Sequence, residues 1–369
     1  MKLTEIKKIE EILLVDKPLL RHKIGNLVSS AENGGSFLLD VDLRLKNEKN
    51  FEESLEVIAK LAVSNINNPS RAQSFQNELI FYKSIVPLLQ EFLKLRGADC
   101  LNLFPQYYGG RLTLNSRSKE ADQDGIFFLE NLKNSDFENL ESHLGFDLET
   151  TKYFLQQLAR LHASFLAIKI KKTEIFKHKI KPYINKSENT ADTDEIKRVV
   201  SLMWGNEGCV SLIPRIRRAM SKRKPAPREP FSTIIHSNLW TDNIMVKLNS
   251  DKRDIIKIVD FQHYDYGSPA ADVLFFLFTS VEISVLEGYL DELLRHYHTD
   301  FESDLQQFEI EDSSFSLGNF LKEVTIEATT AQFPHVFMKM KKIFSPNHSK
   351  EHEERAWYIV QEFAKRNWI

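Results

Sequence analysis

Residues 234–248 read IIHSNLWTDNIMVKL, and residues 255–280 read IIKIVDFQHYDYGSPAADVLFFLFTS. In both stretches polar residues lie between short apolar runs, which predict buried β-strands at 233–235, 244–248 and 255–259. Because the apolar flanks pack into a core, the polar residues between them are held in fixed positions. The two stretches therefore predict a site of polar loop residues on a rigid scaffold.

The polar side chains in these stretches suit phosphoryl transfer. That reaction needs a magnesium ion, a cation on the nucleotide phosphates and a residue that orients the attacking hydroxyl. Asn243 and Asp260 can supply the metal ligands. Lys60 can pair with the phosphates, and Glu78 can hold that lysine in place. This order of lysine, glutamate, asparagine and aspartate along the chain is typical of a kinase.

Each of these residues also has a purely structural interpretation. A lysine on a strand is usually solvated, and a glutamate at the start of a helix usually lies on the surface. Under that interpretation the chain is a two-domain protein without a nucleotide site. The combination of all four residues in kinase order favours the kinase interpretation.

The N-terminal part of the chain predicts an antiparallel hairpin followed by a helix. Apolar and polar residues alternate at 37–45 and again at 55–63, separated by a polar turn at 47–50. The second alternation places Ile58, Lys60 and Ala62 on one face. Apolar residues at helical spacing from 74 to 95 predict a helix that bends or restarts at Pro87.

The rest of the chain predicts a mainly helical region that begins near residue 134. A short apolar strand at 126–129 precedes Glu130 and Leu132, where the pattern changes from strand to helix, and this change predicts a hinge between two lobes. Apolar spacing predicts a long amphipathic helix through 154–165 and a terminal one at 351–369. The Lys-, Arg- and Pro-rich stretch 215–228 predicts a solvated linker, with a surface for an acidic substrate as the alternative.

Length and composition limit the class of protein. A chain of 369 residues favours two lobes. A formal net charge of −3 argues against a nucleic-acid partner, so we expect a small-molecule partner. Two isolated cysteines, Cys100 and Cys209, indicate a reducing compartment rather than a disulfide framework or a zinc site. No apolar run predicts a signal peptide or a membrane span, so we expect a cytoplasmic protein; nothing specifies an oligomer.

The motifs resemble those of the ecdysteroid kinase-like family, also called CHK kinase-like, which is related to choline kinases and aminoglycoside phosphotransferases. The resemblance covers about residues 30 to 300 and is carried by HxxLWxxN at 236–243, DFQ at 260–262 and GSPxxD at 267–272. Four other segments resemble its lysine strand, next helix, hinge and first long helix. They are EVIAKLAV at 56–63, FQNELIFYKSIVPLL at 75–89, FFLENL at 127–132 and LARLHASFLA at 158–167.

The resemblance implies an α+β, protein kinase-like bilobal fold. Its small antiparallel-sheet N-lobe would comprise residues 1–130, and its larger, mainly helical C-lobe residues 131–369. It also implies ATP and Mg²⁺ as cofactors and a small-molecule hydroxyl as the acceptor. The nucleotide and the metal would be bound by Lys60, Glu78, Asn243 and Asp260.

Further residues receive roles from the same resemblance. Glu130 and Leu132 would contact the nucleotide at the hinge. Gly34, Gly35 and Ser36 would correspond to the glycine loop over the phosphates, with an ordinary turn as the alternative. His236, a buried Trp240 and Asp272 would support the catalytic loop.

The chain departs from the family at the catalytic base. The family's loop reads H-G-D-L-W, and its aspartate position is Asn238 here, a carboxamide that cannot take the proton. A positioned general base is worth about 10²- to 10⁴-fold in rate. The sequence therefore predicts either an ATP-dependent kinase of a small, lipophilic alcohol such as an ecdysteroid, or a pseudokinase that binds nucleotide or ligand. A carboxylate supplied by the nearby Asp242 is a further hypothesis.

Overall fold

The computed structural model of the chain describes residues 5–29, 36–62, 69–115, 117–118, 120–140, 145–184, 193–247, 256–339 and 350–369. The chain forms two compact units. The first contains Met1–Glu138 and Met245–His263, and the second contains Asn139–Ile244 and Tyr264–Ile369. The sequence predicted one continuous C-terminal region, 131–369, whereas the segment Met245–His263 packs with the N-terminal unit.

The secondary structure of the described residues consists of strands of 2 to 11 residues and α-helices of 3 to 25 residues. The strands are β1 (Leu19–Ser29), β2 (Ser36–Lys46), β3 (Glu52–Ala62), β4 (Tyr107–Arg111), β5 (Ile126–Glu130), β6 (Glu138–Asn139), β7 (Thr233–Ile235), β8 (Ile244–Val246), β9 (Ile256–Ile258) and β10 (Asp265–Gly267). The α-helices are α1 (Pro69–Ile80), α2 (Val86–Lys94), α3 (Leu148–Lys171), α4 (Thr173–Ile175), α5 (Thr193–Met203), α6 (Glu207–Val210), α7 (Ile213–Met220), α8 (Pro269–Ser280), α9 (Ile283–Gln307), α10 (Leu317–Glu327), α11 (Phe333–Lys339) and α12 (Lys350–Lys365). Turns of π-helix lie at Phe81–Ile85, Phe176–Ile180 and Ala328–Gln332.

The first unit contains a five-stranded antiparallel sheet in the order β1-β2-β3-β5-β4. The strand β3 is central, because it pairs with β2 on one side and with β5 on the other. Val57, Ala59 and Leu61 of β3 belong to the apolar core cluster of this unit. Since side chains alternate along a strand, Ile58 and Lys60 lie on the opposite face, as the sequence predicted.

The hairpin between β2 and β3 turns where the sequence predicted. Asn47 Oδ1 accepts hydrogen bonds from the backbone N–H groups of Lys49 and Phe51, each at 3.0 Å. Asn50 has a left-handed backbone, with φ of 63°, which asparagine tolerates better than most residues. The sequence pattern does not predict β1, because the register of β1 against β2 shifts at three places and interrupts the alternation.

The helix predicted at 74–95 is divided in the way that its proline suggests. A π-helical turn at Phe81–Ile85 separates α1 from α2, and α2 begins one residue before Pro87. Phe81 stacks on Phe261, with ring centroids 4.0 Å apart and planes inclined by 10°. This stacking holds the segment that follows Asp260 against the helix that carries Glu78.

The second unit is mainly helical. The long helix α3 packs against α9 and β7, and α8 is buried along its full length. The strands β7 and β10 pair antiparallel. Together with the sheet of the first unit, this arrangement confirms the predicted α+β class. No helix in the described part of the chain has the length and apolar character that crossing a membrane requires.

The stretch 215–228 was predicted as a solvated linker, and this prediction was wrong for its first part. The helix α7 includes residues 213–220 and buries its apolar residues, which recur at helical spacing between the basic ones. At the other end, Arg228 forms ion pairs with Glu323 at 2.7 Å and with Glu327 at 2.6 Å. Both ends of the stretch are therefore part of the folded second unit.

Candidate functional site

Lys60 lies on the central strand β3, where its ammonium group is largely withdrawn from water. Its side chain is only 9% exposed. The Lys60 Nζ atom lies 2.5 Å from Glu78 Oε2 and 2.6 Å from Asp260 Oδ1. One cation and two carboxylates, distant in sequence, therefore form a single buried cluster in the first unit.

Helix α1 and the end of β9 position the two carboxylates. Glu78 is fully buried on α1. Asp260 follows β9 by two residues and has a left-handed backbone, with φ of 67°. Gln262 Nε2 donates a hydrogen bond to Asp260 Oδ2 at 3.0 Å. A left-handed backbone at a residue other than glycine costs about 1–3 kcal/mol and is typical of functional sites.

Burial and charge act in opposite directions on the cluster. Burial alone would lower the pKa of Lys60, but the carboxylates of Asp260 and Glu78 outweigh burial and raise it above its ordinary value. Burial raises the pKa of Glu78, and Lys60 offsets only part of that rise. The lysine is therefore a permanent cation, suited to binding phosphate oxygens.

The loop that follows β7 is held by hydrogen bonds to Asp272 in the first turn of α8. Asp272 accepts hydrogen bonds from the backbone N–H of His236 at 2.6 Å and of Ser237 at 2.8 Å. The N–H of Asn238 donates to His236 Nδ1 at 3.2 Å. Burial alone would raise the pKa of Asp272, but hydrogen bonds from His162 and His236 lower it, so the buried carboxyl is ionised. Ser237 has φ of 61° at the position where the H-G-D motif has glycine.

Two asparagines hold the 3₁₀ turn Thr241–Asn243 that continues this loop. Asn243 Nδ2 donates to Asn238 O at 2.8 Å, which leaves Asn243 Oδ1 as its candidate ligand atom. Asn139 Nδ2 donates to three backbone oxygens of the loop, at 2.9 to 3.2 Å. The sequence gave no reason to single out Asn139.

Asn238 is buried, with 6% of its surface exposed. Its Oδ1 atom has no hydrogen-bond partner among the residues that the structure describes. A buried acceptor without a partner costs about 1–3 kcal/mol. A donor on a bound molecule would remove that cost, so Asn238 can orient a hydroxyl although it cannot deprotonate one.

The two residues predicted at the hinge have different surroundings. Glu130 ends β5, and its Oε2 accepts a hydrogen bond from the backbone N–H of Gln106 at 3.2 Å. Leu132 is buried in an apolar cluster with Phe137 and Met245 of the same unit.

Three predicted residues cannot be placed as a glycine loop. Gly34 and Gly35 lie outside the described residues. Ser36 is the first residue of β2 and pairs with Ala62 through the backbone, but its side chain lies outside the described part of the chain.

Trp240 was predicted to be buried, and it is only partly buried. The preceding residue, Leu239, is the fully buried one. The backbone of Trp240 is extended, and neighbouring side chains on an extended backbone point in opposite directions. Asp242 lies in the next turn and is partly exposed.

Sequence reasoning missed two residues: His162, which contacts Asp272, and Tyr297, which contacts His162. His162, on α3, lies 3.3 Å from Asp272 Oδ2 through its Nε2. Tyr297, on α9, lies 2.8 Å from His162 Nδ1 through its hydroxyl. A histidine within the apolar string LARLHASFLA is a signal that could have identified His162. Tyr297 lies in no motif.

Among the described residues, no group of three or more His, Cys, Asp or Glu side chains is arranged to hold a metal ion. Magnesium in nucleotide sites uses one or two protein ligands and completes its shell with water and phosphate oxygens. Asp260 in the first unit and Asn243 in the second each carry a side-chain oxygen of the kind that magnesium binds.

Comparison with known proteins gives one family and several solved structures. A model described as the ecdysteroid kinase-like family matches residues 30–310. No curated protein matches the chain.

Three of the similar solved structures are small-molecule kinases by description. The ethanolamine kinase of Plasmodium vivax is 11% identical, with a TM-score of 0.42, over 95% of this chain and 84% of that one. The GDP complex of aminoglycoside 2′-phosphotransferase-IIIa is 13% identical, with a TM-score of 0.43, over 95% of each chain. Amicoumacin kinase with AMP-PNP and Ca²⁺ is 10% identical, with a TM-score of 0.41, over 93% of this chain and 88% of that one.

Proposed function

Because the chain belongs to the ecdysteroid kinase-like family, we propose that it transfers the γ-phosphoryl group of ATP to a hydroxyl of a small, lipophilic molecule. The observation that supports this most directly is the buried cluster of Lys60, Glu78 and Asp260. A lysine exposed to solvent is stabilised by water, whereas Lys60 is buried and pairs with the two carboxylates. Two such charges withdrawn from water with one cation are costly, and a ligand-binding role accounts for their retention.

We assign nucleotide binding to the same cluster. Lys60 would exchange the carboxylate of Asp260 for the phosphates of ATP, while Glu78 keeps the lysine in position. Asp260 and Asn243 would then supply oxygen ligands to magnesium, which neutralises charge on the phosphates when bound. Glu130 and Leu132 are proposed to contact the nucleotide at the end of β5.

The acceptor hydroxyl would be oriented by Asn238. Its Oδ1 atom accepts no hydrogen bond from the described residues of the chain and can accept one from an alcohol. Phosphoryl transfer has a loose transition state in most analyses, so positioning and charge neutralisation do most of the work. Losing the base would cost about 10²- to 10⁴-fold in rate, or roughly 3–5 kcal/mol of barrier.

A pseudokinase is the second candidate, and Asn238 itself favours it. A carboxamide at the base position can bind without catalysing. The deciding experiment measures ATP turnover with a panel of steroid and amino alcohols for the unmodified chain and for Asn238→Asp. Turnover by the unmodified chain supports the enzyme, and turnover only after the substitution supports the pseudokinase.

Nucleotide binding is tested separately from turnover. Calorimetric titration with Mg-ATP is expected to give binding to the unmodified chain and at least about tenfold weaker binding to Lys60→Met, because a charge-assisted contact worth about 1.5–3 kcal/mol is lost. Lys46→Met is the matched control, since Lys46 is an exposed lysine at the far end of the adjacent strand β2. Equal binding by Lys60→Met and Lys46→Met would contradict the assignment.

Both thiols, Cys100 and Cys209, are free, which fits the reducing cytoplasm that we propose as the location.

A further inference from the structure

A continuous chain of buried hydrogen bonds runs from α9 to the catalytic loop within the second unit. It begins at the hydroxyl of Tyr297, 2.8 Å from His162 Nδ1, and continues from His162 Nε2 to Asp272 Oδ2 at 3.3 Å. Asp272 then holds the backbone N–H groups of the loop at His236 and Ser237. Tyr297 and His162 are both 0% exposed, so water does not compete for these hydrogen bonds.

The direction of each hydrogen bond follows from the chemistry of the groups. An ionised aspartate only accepts hydrogen bonds, so the His162 nitrogen that faces Asp272 must carry a proton. In a neutral imidazole the other nitrogen, Nδ1, is then an acceptor, and the hydroxyl of Tyr297 is its donor. Burial, with the charges of Asp272 and Asp304, raises the pKa of Tyr297 well above its ordinary value, so that the hydroxyl keeps its proton.

The position of Tyr297 is itself fixed by packing. Its ring stacks on Phe320 with centroids 5.3 Å apart and on Phe301 with centroids 6.0 Å apart. On the α3 side, Thr233 Oγ1 donates to His162 O at 3.1 Å, which joins α3 to β7 directly before the loop. A buried polar network with every member satisfied gives rigidity to the groups at its ends.

We propose that Tyr297 is a positioning residue for the loop that carries Asn238. Its hydroxyl selects the tautomer of His162 with hydrogen on Nε2, and that hydrogen helps to fix Asp272, which holds the loop backbone. The effect reaches Asn238 because the Asn238 N–H donates to His236 Nδ1. The consequence for turnover rests on the proposed phosphotransferase function, whereas the consequence for loop order does not.

The test compares Tyr297→Phe with Tyr289→Phe, because both tyrosines lie on α9 and Tyr289 is 41% exposed. Removing one hydrogen bond at the end of the chain is expected to speed amide exchange at residues 236–238 about threefold to tenfold. The helices α3 and α8 should keep their exchange rates. Tyr289→Phe should leave all of these rates unchanged.

Two further measurements distinguish positioning from a general structural role. Nitrogen chemical shifts of His162 in the unmodified protein should show hydrogen on Nε2 and none on Nδ1; the opposite tautomer would overturn the proposal. Where a substrate has been found, Tyr297→Phe should lower kcat by about the same factor as the exchange change, with KM for ATP unaltered.

The remaining outcomes also decide the matter. Equal exchange at 236–238 in both variants, or a uniform increase throughout the second unit, would overturn the proposal. A chain without phosphotransfer whose loop exchange still responds to Tyr297→Phe would refute the proposed function and leave the positioning role standing.

Discussion

Arg228 offers the clearest test of how this chain stabilises its second unit. Its guanidinium lies 2.7 Å from Glu323 and 2.6 Å from Glu327, whose side chains are 10% and 5% exposed. The substitution Arg228→Met removes the guanidinium group. The carboxylates of Glu323 and Glu327, four residues apart on α10, then lose their ion pair with Arg228. Removing one partner of a buried ion pair costs about 3–5 kcal/mol. Because the Arg228 side chain is 23% exposed, we expect the lower end, about 3 kcal/mol.

The cost should depend on pH, with a sign that the structure determines. Burial already raises the pKa of Glu327 above its ordinary value, and Arg228 offsets part of that rise. Without the arginine the folded-state pKa rises further above the unfolded value. An acid of this kind favours the folded state at low pH, and this contribution is lost as the pH rises through the folded-state pKa. The penalty of Arg228→Met should therefore be largest near pH 8 and should shrink below about pH 5.

Urea unfolding followed by tryptophan fluorescence is the assay. The four tryptophans, Trp204, Trp240, Trp357 and Trp368, all lie in the second unit, so their emission reports that unit. Arg217→Met is the control, because Arg217 is an exposed residue of the same basic stretch. A loss below about 1 kcal/mol, a loss equal at both pH values, or an equal loss from the control would refute the reasoning.

Three other substitutions test separate features. Ser237→Gly should raise the free energy of unfolding by up to about 1 kcal/mol, because Ser237 has φ of 61° and glycine adopts this backbone without strain; a decrease in the urea midpoint would contradict this. Burial raises the pKa of Asp304 to about 6 from 3.8, which at about 1.4 kcal/mol per pKa unit is a penalty of up to about 3 kcal/mol at pH 7. At a pH well below that pKa the carboxyl of Asp304 is protonated in the folded state and the penalty is absent. Asp304→Asn should therefore stabilise the protein at pH 7 and give no gain near pH 4; equal effects at both pH values would exclude this account. Gly109→Ala would place a Cβ 1.8 Å from Ile12 O on a backbone with φ of 127°, and should lower the melting temperature far more than Gly97→Ala, where nothing lies within 4 Å; equal losses would refute the steric argument.

The parts of the fold that the sequence predicts are those with a single regular period. The alternation through 55–63 places Lys60 on the face opposite the core, and the terminal helix begins within one residue of position 351. The family assigned from the motifs is confirmed by the match to residues 30–310. Lys60 and Glu78 could be proposed as site residues because they precede Asn243 and Asp260 in the order typical of a kinase and lie in segments that resemble the family.

Features that depend on three-dimensional packing were not predicted from the sequence. The bulges of β1 interrupt its alternation, and basic residues concealed the apolar spacing of α7. Tyr297 and Asn139 act through hydrogen bonds to residues more than 100 positions away, as in the 2.8 Å contact to His162 at a separation of 135. Neither position carries a local pattern, since their roles arise from the elements that surround them.

The return of Met245–His263 to the first unit has a consequence for synthesis of the chain. A ribosome that has released only the first 138 residues has not yet supplied Asp260 to neutralise Lys60 or Phe261 to cover Phe81. N-terminal domains usually fold first as they emerge, but this one must wait for a segment made more than a hundred codons later. A truncated message that ends near codon 140 would thus give a product in which Lys60 lacks Asp260 and Phe81 lacks Phe261, and this exposed charged and aromatic surface would make it a substrate for chaperones.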